Sequence, residues 1–435
     1  MEPWLYLLLF SIFFILTGTY VWKRDVLYGG IYLFLYIYTI FSQIGYTYFP
    51  SLSIFIKAYF GSKLFYEFHA FIFLSFLAYF LIFRAFYKKI LAVKKYKIVK
   101  SNIQYFPFFV MVVLMHILFL GFYLFLNYDS ISYVNMSNEN YQRSHGSLLL
   151  IFSIFFKLSV MINIILYYLI KCRRIFLTQK KEVVIYSLFL LEIVVFVIIA
   201  VKIGNRTDPL ALSLSIVVLE ICFMRIYGVD RMRIVKIISF FVLVIYGLIV
   251  LEVVREGGTS GQKVISEIIL LKDYFAPSHM LFAAMAFEYV DIGEVVISNT
   301  SNALIKINHP YLQATITNLI NPGIASRSTG YAFYIFSEGY LALGWYGFIY
   351  NGIIIFLGVT LWRLLGNSSF YLYNVFIISL LASQMANIVR SQSSYFIKDI
   401  YTLFIPAMFI FFLATGYRPL LGVGGRMKRY LVSTR

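Results

Sequence analysis

Four arginines stand in short polar stretches of an otherwise apolar chain: Arg206 in GNRTDPL, Arg255 in EVVREGG, Arg327 in NPGIASRSTG and Arg390 in NIVRSQSSYF. The guanidinium fork stays charged and donates paired hydrogen bonds that match phosphate oxygens. Drawn together from distant loops, such residues could hold a lipid-linked pyrophosphate, and Arg206, Arg327 and Arg390 are the first choices. Taken singly, each could equally snorkel to lipid headgroups or pair with Asp208, Glu256 or Asp399. Transfer to a hydroxyl would also need a proton acceptor. Glu338 stands at the mouth of an apolar run that opens GYLALGWYGFIYNG. Buried in an apolar site it has the chemistry of a general base; in water, or on an arginine, it is only a helix-end acid. Asp208, two residues after Arg206, is a second candidate base, although its place in a turn suggests an intraloop ion pair, and a loop histidine such as His279 could also accept a proton.

Other chemistries find little support. His69, His116, His145, His279 and His309 include no pair with metal-ligand spacing, and Cys172 and Cys222 are too few for a metal cluster or a disulfide framework. No metal is expected. The chain has no Walker loop, no GxGxxG after a strand and no nucleophile elbow, which argues against nucleotide hydrolysis and implies no cofactor.

These residues need elements to position them, and the composition says what kind. Of 435 residues, 61% are hydrophobic and 13% charged, with mean hydropathy +0.83. So little polar surface calls for a bilayer as solvent. Apolar stretches long enough to cross one fall near 3–22, 28–49, 65–86, 105–127, 148–170, 182–202, 210–227, 237–254, 339–363, 369–389 and 397–415. The first lacks a basic leader region and a small-residue cleavage site, so it reads as a retained span rather than a signal peptide.

The expected fold is therefore an all-α polytopic membrane protein of about eleven transmembrane helices. Residues 1–254 would hold helices one to eight, 255–338 one large loop, and 339–435 the last three helices and a basic tail. Segments 278–290 and 311–320 of the loop read as amphipathic helices lying along the membrane. The net charge of +18 would hint at nucleic acid in a soluble protein; here its distribution gives orientation instead. With the Lys23–Arg24 turn on the cytoplasmic side, about 24 of the 37 basic residues lie inside and about 12 outside. That puts the N-terminus outside, the C-terminus in the cytoplasm, the large loop on the outer face, and all four arginines on the outer side.

GNRTDPL after one span, the long outer loop, SRSTGYAFYIFSEGYLALGWYGFIYNG and NIVRSQSSYFIKDIYTLFIP resemble the Wzy-type O-antigen or capsule repeat-unit polymerases. The first and last are similar to that family's arginine-bearing outer turns; the middle one resembles its E-x-Y followed by a glycine-centred helix start. Thr207 and Ser391 stand where the commonest form has glycine after each arginine. The resemblance implies a GT-C-like helical fold similar to the O-antigen ligases, with one large periplasmic loop, in the inner (plasma) membrane. It implies a glycosyltransferase that moves a growing glycan from undecaprenyl pyrophosphate onto a fresh lipid-linked repeat unit, with a chain-length regulator and a flippase as partners. In that scheme Arg206, Arg327, Arg390 and Arg255 hold pyrophosphate and Glu338 or His279 is the base. The alternatives are a flippase or transporter of lipid-linked oligosaccharide, which would carry an internal repeat and broken helices, and an O-antigen ligase with a decisive loop histidine. Neither the repeat nor the broken helices are seen in the sequence, and His279 and His309 keep the ligase open.

Overall fold

The computed structural model of the chain describes residues 3–48, 63–90, 334–365 and 393–400, with scattered helical positions elsewhere. Among the described residues every regular element is helical and no strand occurs. The chain divides into two compact units: Met1–Val93, Ile245–Leu364 and Leu381–Asp399 form the first, and Lys94–Val244, Leu365–Leu380 and Ile400–Arg435 the second. The helices discussed below lie in the first, apart from the last residue of α5.

Helices α1 (Pro3–Arg24) and α2 (Val26–Tyr48) are separated by Asp25 alone. Lys23 and Arg24 close the last turn of α1, where cations meet the negative end of the helix dipole. Asp25 then accepts the Leu27 N–H at 2.9 Å on Oδ1, a side-chain cap that starts α2. So sharp a reversal requires the backbones to touch. A Cβ on Gly29 would lie 2.6 Å from the Trp22 Cα, so only glycine fits there.

Helix α3 (Lys63–Ile90) packs on this hairpin through rings. Phe76 meets Phe10, Phe14 and Tyr32 edge-on, and Tyr79 stacks on Tyr32 with centroids 5.6 Å apart. Offset and edge-to-face pairs of this kind satisfy the ring quadrupoles. The hydrogen bonds order the ends of the bundle. At one end Tyr87 donates to the Arg24 carbonyl (3.0 Å) and Arg363 pairs with Asp25 (2.7 Å). At the other, Tyr6 donates to the His69 carbonyl (2.7 Å). Hence α1, α3 and the helix bearing Arg363 run one way and α2 the other.

One polar device recurs three times. Thr17, Thr39 and Thr360 each donate to the carbonyl four residues earlier in their own helix. Each hydroxyl has one proton, so the tyrosine facing each threonine must be the donor: Tyr32 to Thr17 (2.7 Å), Tyr28 to Thr360 (2.6 Å) and Tyr334 to Thr39. A buried phenol thereby finds an acceptor without leaving a backbone group unserved.

Two helical stretches, Lys63–Tyr87 of 25 residues and Ile335–Leu365 of 31, are long and apolar enough to cross a membrane. The second is not one rod. Helix α4 (Ile335–Leu343) ends at Gly344, whose φ of 57° lies in the left-handed region; a 3-10 turn (Gly344–Tyr346) follows, and α5 (Gly347–Leu365) begins. Phe336 and Gly339 both bond Asn351, and Glu338 bonds Tyr350, while Gly339 and Gly347 press together so closely that a Cβ on either would overlap the other's backbone. One index falls as the other rises, the signature of an antiparallel helical hairpin. The start expected for this span, just after Glu338, thus falls inside α4, and the unbroken helix is α5, 19 residues and about 28 Å long.

The outward faces are apolar. Leu8, Ile12, Ile15 and Leu16 form an exposed stripe on α1, and Ile349, Ile353, Leu357, Leu361 and Leu364 another along most of α5. Continuous apolar stripes of this length are the surface a hydrocarbon solvent accepts and water does not.

Candidate functional site

Glu338 lies in the first turn of α4 and is 2% exposed. Its carboxylate is held on three sides. Tyr350 of α5 donates its hydroxyl at 2.8 Å and Ser393 its hydroxyl to the same oxygen, Oε1; the Ser393 N–H reaches Oε2 at 2.6 Å. A carboxylate has about four lone-pair positions, so three are filled. Charge-assisted bonds of this kind offset the cost of removing the anion from water.

The hairpin that carries Glu338 is itself braced. Asn351 donates to the Phe336 carbonyl (3.0 Å) and to Ser75 Oγ of α3 (3.2 Å), and accepts the Gly339 N–H (3.1 Å). One buried amide therefore ties α4 to α5 and both to α3. The turn beyond projects Leu343, Trp345 and Tyr346 outward, Tyr346 being 75% exposed, while Phe71 packs edge-on against Tyr340 and Trp345. An aromatic turn at a helix end suits the headgroup level of a bilayer. Glu338, beside Tyr350 and Asn351, sits one helical turn inward from it.

Ser393 belongs to a different part of the sequence. It precedes α6 (Ser394–Asp399), whose Phe396 N–H bonds the Ser393 carbonyl at 3.0 Å. The Phe396 carbonyl accepts from the Trp362 indole at 3.0 Å. The segment is thus fastened to α5 at Trp362 and to α4 at Glu338.

Of the residues proposed to bind pyrophosphate or to act as base, Glu338 alone falls among the described residues. Arg206, Arg255, Arg327, Arg390 and His279 lie outside them, as do Asp208 and His309. Within the segment read as an amphipathic helix, 278–290, the described positions Leu281, Ala284 and Met285 are helical and buried, the i, i+3, i+4 spacing of one helix face. Sequence reasoning missed Ser393, Tyr350 and Asn351 as site residues. Asn351 carried a signal, a lone amide inside the apolar run GFIYNGIIIF, the type that bonds across helices in a membrane. Ser393, in a run of small polar residues, carried none. Among the described residues no cluster of His, Cys, Asp and Glu could hold a metal ion.

The arrangement can do two things chemically. It holds an anion one turn below a helix corner, and it joins two sequence segments 55 positions apart. No protein-family model, curated protein or solved structure matches the chain.

Proposed function

We propose that this chain is a polytopic membrane glycosyltransferase that polymerises undecaprenyl-pyrophosphate-linked repeat units into O-antigen or capsular polysaccharide on the outer face of the plasma membrane. The observation that carries the reading is the meeting of Glu338 with Ser393. These residues belong to SEGYLALGWYGFIYNG and NIVRSQSSYF, two of the three segments on which the resemblance to the Wzy-type polymerases rests.

In this reading the unbroken spans number about eleven, and the large loop roofs a cavity facing the outer leaflet. Pyrophosphate is already a good leaving group, so the protein's work is to neutralise its charge and orient the acceptor hydroxyl. Arg206, Arg327, Arg390 and Arg255 supply the cations. Arg390 stands three residues from Ser393, at most about 11 Å of extended chain, which ties one of them to the Glu338 corner. His279 is the candidate proton acceptor; Glu338, the other one the sequence offered, is already engaged by Tyr350 and Ser393. The exposed aromatic turn Trp345–Tyr346 lies at the level where a polyprenyl headgroup would enter.

Banding of surface polysaccharide from cells with and without the gene tests this directly. Loss of the ladder, with molecules bearing a single repeat unit retained, is the expected outcome. Loss of every repeat unit would instead favour the flippase or the ligase, and an unchanged ladder would remove the polysaccharide reading. Within that assay R390A and R327A should each lower polymer yield about a hundredfold at normal protein level, the usual cost of one lost charge-stabilising donor.

A further inference from the structure

We infer that Glu338 is a positioning residue: it pins the 389–400 segment, and with it Arg390, to the α4–α5 corner, and carries no proton in the transfer. What the pin means for Arg390 and for transfer rests on the polymerase reading; the pin itself does not.

A general base needs a lone pair turned toward the acceptor hydroxyl and room for that hydroxyl to approach. Glu338 is 2% exposed. Both lone-pair directions of Oε1 are taken by the hydroxyls of Tyr350 and Ser393, and Oε2 receives the Ser393 N–H. What the carboxylate does at every one of these bonds is join chain segments. Tyr350 joins it to α5 and Ser393 to the start of α6. The second attachment of this segment, Trp362 to the Phe396 carbonyl, lies three residues further on and cannot fix its beginning. Val389, 0% exposed, and Ser393, 3% exposed, are buried on either side of Arg390. The pin therefore acts three residues along the chain from Arg390.

An amide can imitate this pin but not a base. In E338Q the amide oxygen can still accept the Ser393 N–H, while the amide N–H donates to the Tyr350 and Ser393 hydroxyls, which reverse their roles. Conversely, Y350F combined with S393A removes both hydroxyl bonds and leaves the carboxylate and its capacity to take a proton. The two variants separate positioning from proton transfer.

The test uses the full chain purified in detergent, followed by amide hydrogen exchange over peptides covering 389–400, and the polysaccharide ladder in cells. The expected result is that E338Q keeps exchange protection and keeps polymer within about twofold of wild type. E338A, and Y350F with S393A, should lose protection in 389–400 and shorten or abolish the ladder. Retained protection with lost polymer in E338Q would overturn the inference and make Glu338 the base; full polymer in the Y350F, S393A chain would overturn it by showing that the hydroxyl bonds are dispensable. Unaltered protection in E338A would overturn the pin itself. Exchange is read without any assumption about the reaction, so a chain that makes no polysaccharide fails the functional proposal and leaves the pin to be judged on exchange alone.

Discussion

Asp25 does two jobs that one substitution can separate. Its Oδ1 caps α2 through Leu27, and its Oδ2 takes Arg363 Nε at 2.7 Å, with side-chain exposures of 6% for Asp25 and 14% for Arg363. Asparagine caps a helix as well as aspartate does, so D25N keeps the cap and removes only the charge. Taking one partner from a buried ion pair costs about 3 kcal/mol, which should appear as a lower unfolding midpoint in detergent. The reciprocal pair D25R with R363D should recover part of the loss, giving a positive coupling in a double-mutant cycle. A D25N chain as stable as wild type would show that the pair contributes nothing. At the same scale Y28F tests the tyrosine to threonine device: it removes the hydroxyl facing Thr360, and the loss should be under about 1 kcal/mol, as for other hydrogen bonds between membrane helices.

At the scale of elements the α4–α5 corner makes the sharpest demand. Gly344 has a positive φ but open space around it, whereas a Cβ at Gly347 would run into the Gly339 carbonyl. G344A, at φ 57° and ψ -132°, should cost about 2 kcal/mol of backbone strain and leave the α4–α5 contacts in place. G347A must push α4 off α5, straining the Asn351 and Glu338 bonds together, and should lower stability by about 3 kcal/mol or more. A G347A chain as stable as wild type would contradict the hairpin. This corner also marks where the sequence stopped being legible. Expected spans 3–22, 28–49 and 65–86 became Pro3–Arg24, Val26–Tyr48 and Lys63–Ile90, because an apolar run is bounded by where charges and turn residues begin. The run after Glu338 stays apolar straight through the break. What bends it is a left-handed glycine and a contact between glycines eight positions apart, and hydropathy registers neither. Glu338 could be picked out as a lone acid beside apolar residues. Its partner Ser393 could not, since only the fold brings position 393 to position 338.

At the scale of the molecule, the described contacts fix which ends lie together. Arg24, Asp25, Tyr87 and Arg363 share one end; Tyr6 and His69 mark the other, and Thr39 with Tyr334 lies away from the Arg24 end. This agrees in relative sense with the sidedness inferred from basic residues, which placed Lys23, Arg24 and Arg363 on one face. Fusions of a reporter active only outside the cytoplasm, inserted after Tyr346 and after Arg24, should give opposite results, the first active and the second silent. Like results at both points would refute the arrangement. The other expected spans contain at most scattered described positions, and the same fusions along the chain would count them.

Tyr28, near the start of the chain, gives its hydroxyl to a threonine 332 positions later. At the pace of protein synthesis, about 5–20 residues per second, that partner emerges roughly 15 to 70 seconds after Tyr28 itself. The first helical hairpin can settle its own Tyr32 and Thr17 at once, but it must wait, half matched, for most of the polypeptide to be made. Completion of this pair is thus timed by a residue made 332 positions later. A chain released by the ribosome before residue 360 would present the cell's insertion and degradation machinery with an unfinished polar face on α2, a built-in mark of incompleteness.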